Sequence, residues 1–210
     1  MEYLSLFGLI FIIHILAVMS PGPDFVMVLK NAMQYNRKAA VYTALGISMG
    51  IAVHIFYSVI GFALLLKNNP YLFNGIKIAG GLYIIYIGYK TFSSKSYVEN
   101  FHSIQRQQNI HITEALKNGF ITNVTNPKAS LFFISIFSVV VPPQTPFVII
   151  ALLGLMLVSV TFLWFVIVAV IFTNRLVVRF YKKYEKTVIK ILGILLIALG
   201  LAVFVEMFIS

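Results

Sequence analysis

Two charged side chains stand inside stretches that are otherwise apolar. Asp24 ends the run Ala17-Val18-Met19-Ser20-Pro21-Gly22-Pro23-Asp24, and Lys128 ends Thr125-Asn126-Pro127-Lys128. An ionised carboxylate at membrane depth costs at least ~2.5 kcal/mol, so Asp24 must face protein and have a partner. One reading gives it chemistry, holding a substrate ammonium group or exchanging a proton. The other makes it a cap for free amide donors at the start of a short helix after Pro23. Lys128 could attract a substrate carboxylate or serve as a permanent counter-ion for Asp24. Asn126 could line a polar site or restore the bonding lost at Pro127. Ser20 joins these three as a candidate for substrate binding or proton coupling.

Histidine adds a further possibility. His54 falls in the middle of an apolar segment. With an unperturbed pKa of about 6.5 it could relay protons, or it could be neutral and hydrogen-bonded across helices. His14 has the same two readings. Ser20 beside His14 is the nearest approach to a nucleophile with a base, and no fuller catalytic constellation accompanies it, so an enzyme is not expected. The absence of cysteine removes disulfides and thiolate metal sites. With essentially one buried carboxylate, neither a metal site nor a cofactor is expected, and the alternatives to transport of an organic solute are metal-ion export, which is poorly supported, and a membrane-embedded protein that transports nothing.

The elements that must position these residues follow from composition. The chain is 60% hydrophobic and 10% charged, with a mean hydropathy of +0.94. So few charges cannot cover a soluble domain, and the reading is an integral membrane protein. The first apolar segment begins Met1-Glu2-Tyr3 without a basic region, and is expected to be retained rather than cleaved as a signal peptide. Apolar windows long enough to cross a bilayer fall at about 4 to 29, 39 to 66, 71 to 90, 114 to 141, 147 to 172 and 188 to 209. Apart from Lys67, Lys77 and Lys128, the basic residues lie in or beside connections 1-2, 3-4 and 5-6. By the positive-inside rule those connections are cytoplasmic and both termini face outward. The net charge of +10 is therefore read as topology and lipid contact, not as nucleic-acid binding.

Three spans (1–92), a polar linker (93–113) and three more spans (114–210) describe two copies of opposite orientation. Lys77-Ile78-Ala79-Gly80 opens the third span and Lys190-Ile191-Leu192-Gly193 the sixth, and Gly81 with Gly88 matches Gly193 with Gly200. The first span of each half carries a break, at Pro21, Gly22 and Pro23 in one and at Pro127 in the other. Each proline deletes a backbone donor and disfavours helix at the residue before it. Interrupted helices survive at membrane depth only where buried in protein or lining a wet cavity. The expected fold is thus an all-α membrane protein of six transmembrane helices, forming two inverted three-helix repeats with helices 1 and 4 broken. Secondary transporters place substrate at such breaks.

Taken together, several stretches resemble the LysE/RhtB family of amino-acid exporters over nearly the whole chain. They are Ser20-Pro21-Gly22-Pro23, the basic Arg37-Lys38-Ala39-Ala40, the spaced Gly46 and Gly50, Gly81-Leu82-Tyr83-Ile84-Ile85-Tyr86-Ile87-Gly88, and Gly119-Phe120-Ile121-Thr122-Asn123 running into Asn126-Pro127-Lys128. Asn36 stands where members often have glycine before the basic pair. The resemblance implies export of amino acids or close derivatives from the bacterial cytoplasm through the inner membrane, driven by the proton-motive force, with self-association into a homo-oligomer. It leaves the particular amino acid open.

Overall fold

The computed structural model describes residues 2–68, 70–94, 96 and 110–209. Among them it has helices only, α1 (Glu2–Met19), α2 (Pro23–Gln34), α3 (Arg37–Asn68), α4 (Pro70–Phe92), α5 (Ile112–Val124), α6 (Pro127–Val139), α7 (Phe147–Ile171) and α8 (Arg175–Ile209). The interruptions fall where proline predicts them. The last amide of α1 is Ser20 N, which donates to Leu16 O at 3.0 Å. Pro21 has no N–H to offer Ala17 O, so the helix stops. Pro23 then sits in the first turn of α2, where its missing donor would have had no helical partner. The axis turns by 55° between α1 and α2.

At the second break only Thr125 and Asn126 separate α5 from α6. Asn126 caps α6, its Oδ1 accepting from Lys128 N at 3.0 Å, and Pro127 begins the helix.

By length and composition 37–61, 147–171 and 176–205 can each cross a membrane, and the bent α1–α2 pair can act as a fourth, broken span. Large apolar side chains coat the outside, among them Leu4, Phe56, Tyr71, Phe147, Leu155 and Leu163. Such a surface belongs in lipid. The α4 helix and the α5–α6 pair occupy the other two predicted windows without meeting the same measure. The predicted 93–113 linker lies mostly outside the described residues.

One boundary is corrected. The last span was expected to begin at 188, with the basic residues before it in a connection. Instead α8 begins at Arg175, and Arg179, Lys182, Lys183, Lys186 and Lys190 ride on it. Glu185, Ile189, Leu192, Leu196 and Val203 are all buried at helical spacing, so one face of this polar stretch packs inward. Tyr181 extends that face, its ring 4.9 Å from Phe172 and 5.9 Å from Phe25. Hydropathy windows average over such a face and miss it.

Backbones touch at two crossings. A Cβ on Gly46 would lie 2.0 Å from Leu116 O, and one on Gly119 would lie 2.1 Å from Thr43 O, so α3 and α5 meet main chain to main chain. The same holds for α4 and α8, where a Cβ on Gly193 would lie 2.5 Å from Phe92 N and one on Gly88 2.6 Å from Ile197 N. The small-residue spacing read in the sequence is thus a close helix contact. Two apolar clusters fill the interior. One gathers Ile10, Ile13, Phe132, Phe133, Phe137 and Leu157; the other gathers Phe25, Val28, Leu29, Ile47, Phe165 and Phe172.

Candidate functional site

A small cavity, open to solvent on one side, lies where these clusters meet and where the two breaks face each other. Ser20, Gly22, Asp24, Asn126 and Lys128 line it, with His14, Thr161 and an apolar wall that includes Phe132, Phe133 and Phe165. Five predicted residues, separated by about a hundred positions in sequence, thus share one space. Pro21, Pro23 and Pro127 make the breaks without lining it, and His54 touches the lining through Phe133, ring centroids 6.1 Å apart.

The two charges do not pair directly with each other. The Lys128 ammonium donates to Ala17 O at 3.2 Å, to Ser20 O at 2.9 Å and to Ser20 Oγ at 2.9 Å. Ala17 O is the carbonyl that Pro21 leaves without an amide. A cation at the C-terminal end of α1 also meets the negative end of the helix dipole. Lys128, from the second break, therefore completes the helix interrupted at the first. Ser20 Oγ shares a further bond of 2.6 Å with Thr91 Oγ1.

Asp24 makes the reverse crossing. Its Oδ2 accepts from Asn123 Nδ2 at 3.0 Å and from Asn126 Nδ2 at 3.1 Å, both at the second break. It stands in the first turn of α2, but Gly22 is the N-cap there and has no side-chain cap. The dipole still favours a carboxylate at that position. Asp24 Oδ1 is buried without a hydrogen-bond partner. Asn126 combines both of its readings, capping α6 through Oδ1 and facing the cavity and Asp24 through Nδ2.

His54 is fully buried. Its Nε2 lies 2.9 Å from Asn123 O, and Nδ1 lies 2.5 Å from Tyr57 Oη. A carbonyl only accepts, so Nε2 carries the hydrogen, and in the neutral ring Tyr57 donates to Nδ1. This holds the Asn123 main chain while its side chain reaches Asp24. Tyr57 thus orients a histidine.

Asn123 is the functional candidate that sequence reasoning passed over. It lies one turn before Asn126 in an apolar span, so a polar pair at helical spacing was the available signal. Thr91 and Thr161 offered none, because their partners Ser20 and His14 are 71 and 147 residues away.

An unpartnered carboxylate oxygen, an ammonium, side-chain amides and an aromatic wall in one cavity are suited to a small zwitterion. The chain is 31% identical over 191 residues to an uncharacterised membrane protein of Haemophilus influenzae (strain ATCC 51907 / DSM 11121 / KW20 / Rd), covering 90% of this chain and 91% of that one. It is 30% identical over 199 residues to the threonine efflux protein of Escherichia coli (strain K12), covering 94% and 97%. An uncharacterised membrane protein, YrhP, of Bacillus subtilis (strain 168) is 27% identical over 195 residues, covering 88% and 91%. No solved structure matches. The family model of the LysE type translocator matches residues 15–207, and the chain belongs to that family of translocators.

Proposed function

We propose that this protein exports amino acids or close derivatives from the bacterial cytoplasm across the inner membrane by proton antiport. The observation that carries the reading is the cavity between two broken helices, with Asp24 Oδ1 unpartnered on one side and Lys128 on the other. The substrate ammonium is held by Asp24. Its carboxylate is drawn by Lys128 and by the amide end of α2. Asp24 is also the group that takes up the proton when substrate leaves, so one carboxylate serves two cargoes in turn. The threonine efflux protein among the relatives makes threonine the first substrate to test. Metal-ion export gains no observation, since no three His, Cys, Asp or Glu side chains converge among the described residues.

On the inverted-repeat reading α4 and α8, and α3 and α7, are equivalent helices of the two halves, and each pair packs together. Rocking of one half against the other would expose the cavity alternately. The crossed bonds from each break to the other are what such a motion must rearrange. In this reading connections 1-2 and 3-4 and the basic first part of α8 lie in the cytoplasm, with both termini outside.

The test is efflux from cells preloaded with a panel of amino acids, with the proton gradient intact or collapsed. Gradient-dependent efflux of one class above empty-vector cells is expected. Efflux of no amino acid above that background overturns the proposal.

Lys128→Met provides a separate check on the site. It leaves Ala17 O and Ser20 O without their donor, an expected loss of about 1–3 kcal/mol of stability together with loss of export. Thermal unfolding in detergent, alongside Lys128→Arg, measures the first effect. An unchanged melting temperature in Lys128→Met would show that the ammonium does not hold α1.

A further inference from the structure

The α8 helix is longer than a bilayer core requires. Its 35 residues make a rod of about 52 Å, against a hydrocarbon core of about 30 Å. The excess lies at the basic end, because 191–205 contains no Lys, Arg, Asp or Glu. A topological signal needs those charges near the membrane end, at any angle around the helix. Here the exposed Arg179, Lys183, Lys186 and Lys190 follow one another at helical spacing and fall in one row within roughly 60° of arc. No acid joins the row, since Glu185 is buried against the protein. Beyond Lys190 the same side of the helix turns apolar, with Ile194 and Leu201 both exposed. Phe180 and Tyr184 flank the row, also exposed, with ring centroids 4.8 Å apart; aromatic rings of this kind favour the membrane–water interface.

We propose that this strip of α8 is a binding site for one anionic phospholipid, its headgroup held by Arg179, Lys183, Lys186 and Lys190 and an acyl chain lying along Ile194 and Leu201. Cations first and hydrocarbon after, along one side of one helix, is the order of a phospholipid, with its phosphate outermost and its chains within. An acidic peptide would match the cations and leave the apolar continuation unused. The row from Arg179 to Lys190 is about 16 Å long, and long basic side chains converge on one phosphate layer by lying along apolar surface while their charged ends reach toward it. The site differs from the general attraction of a basic membrane face for anionic lipid, to which any cation of the same face contributes equally. It does not depend on what the cavity carries.

The experiment titrates the full-length protein in detergent with phosphatidylglycerol, phosphatidylcholine or inorganic phosphate, reading binding and melting temperature. Phosphatidylglycerol is expected to bind at least about tenfold more tightly than phosphatidylcholine. It should also raise the melting temperature, because the row exists only on folded α8. Inorganic phosphate, which has no chain to lay along Ile194 and Leu201, should do neither. Arg179→Gln/Lys183→Gln/Lys186→Gln is expected to lose the preference. Lys30→Gln/Arg37→Gln/Lys38→Gln removes the same charge from exposed positions around connection 1-2 and is expected to keep it. Equal binding of the two lipids by the intact protein, protection by phosphate alone, or the same loss in both triple variants overturns the proposal. The first two comparisons use only the intact protein, so they decide even where a variant does not accumulate.

Discussion

Asp24→Asn is expected to abolish export while the protein accumulates in the membrane as before. Asparagine has nearly the same shape, and its side-chain oxygen can still accept from Asn123 and Asn126, which now bond Asp24 Oδ2. What disappears is the negative charge and the second acceptor, Oδ1, which is buried and unpartnered. A hydrogen bond to a charged group contributes about 1.5–3 kcal/mol, which corresponds to a loss of about tenfold to a hundredfold in ammonium binding. If the same carboxylate carries the proton, coupling is lost as well and efflux falls to background. Efflux at equal membrane expression reads this directly. Transport by Asp24→Asn at the wild-type rate would remove the carboxylate from the mechanism.

Gly119→Ala should instead act on the fold. The added Cβ would lie 2.1 Å from Thr43 O, and no side-chain rotation relieves a clash with main chain. The helices must part, which strains the bond from Thr43 Oγ1 to Ala115 O at 3.2 Å. It also strains the contact of His54 with Asn123 O, and so the support of Asp24. Overpacking of this kind costs typically about 1–3 kcal/mol and occasionally more, and a backbone contact places this site at the upper end. Gly8→Ala is the control, because a Cβ there meets nothing within 4 Å; alanine's better helix propensity makes that variant neutral or slightly more stable. Melting temperatures in detergent should separate the two. A Gly119→Ala protein as stable as Gly8→Ala would mean that α3 and α5 are not in backbone contact.

The two predictions test different levels of the same arrangement. Gly46 and Gly119 bring α3 against α5. That crossing carries Asn123, and Asn123 holds Asp24. Stability of the crossing and function of the carboxylate are thus linked through one asparagine. A partial loss of export in a mildly destabilised Gly50→Ala would follow the same route, since a Cβ on Gly50 would lie 2.5 Å from Asn123 Oδ1.

Features that depend on local backbone chemistry and on average polarity were legible in the residues alone. Apolar composition specified a membrane protein, and Pro21, Pro23 and Pro127 located both helix breaks because a missing N–H and a ring clash act within one turn. Asp24 and Lys128 were conspicuous because a charge in an apolar stretch needs an explanation wherever it lies. How they are used follows from the packed bundle. Side-chain identity made Asp24 and Lys128 natural partners for each other, yet Lys128 bonds to oxygens of Ala17 and Ser20, two of the three belonging to the main chain, and no residue type advertises an orphaned carbonyl. The roles of Asn123, Thr91 and Thr161 arise from contacts across the bundle, and the early start of α8 from a buried face within a basic stretch. Those choices depend on which helix ends lie beside one another, a relation that is fixed only when the whole bundle packs.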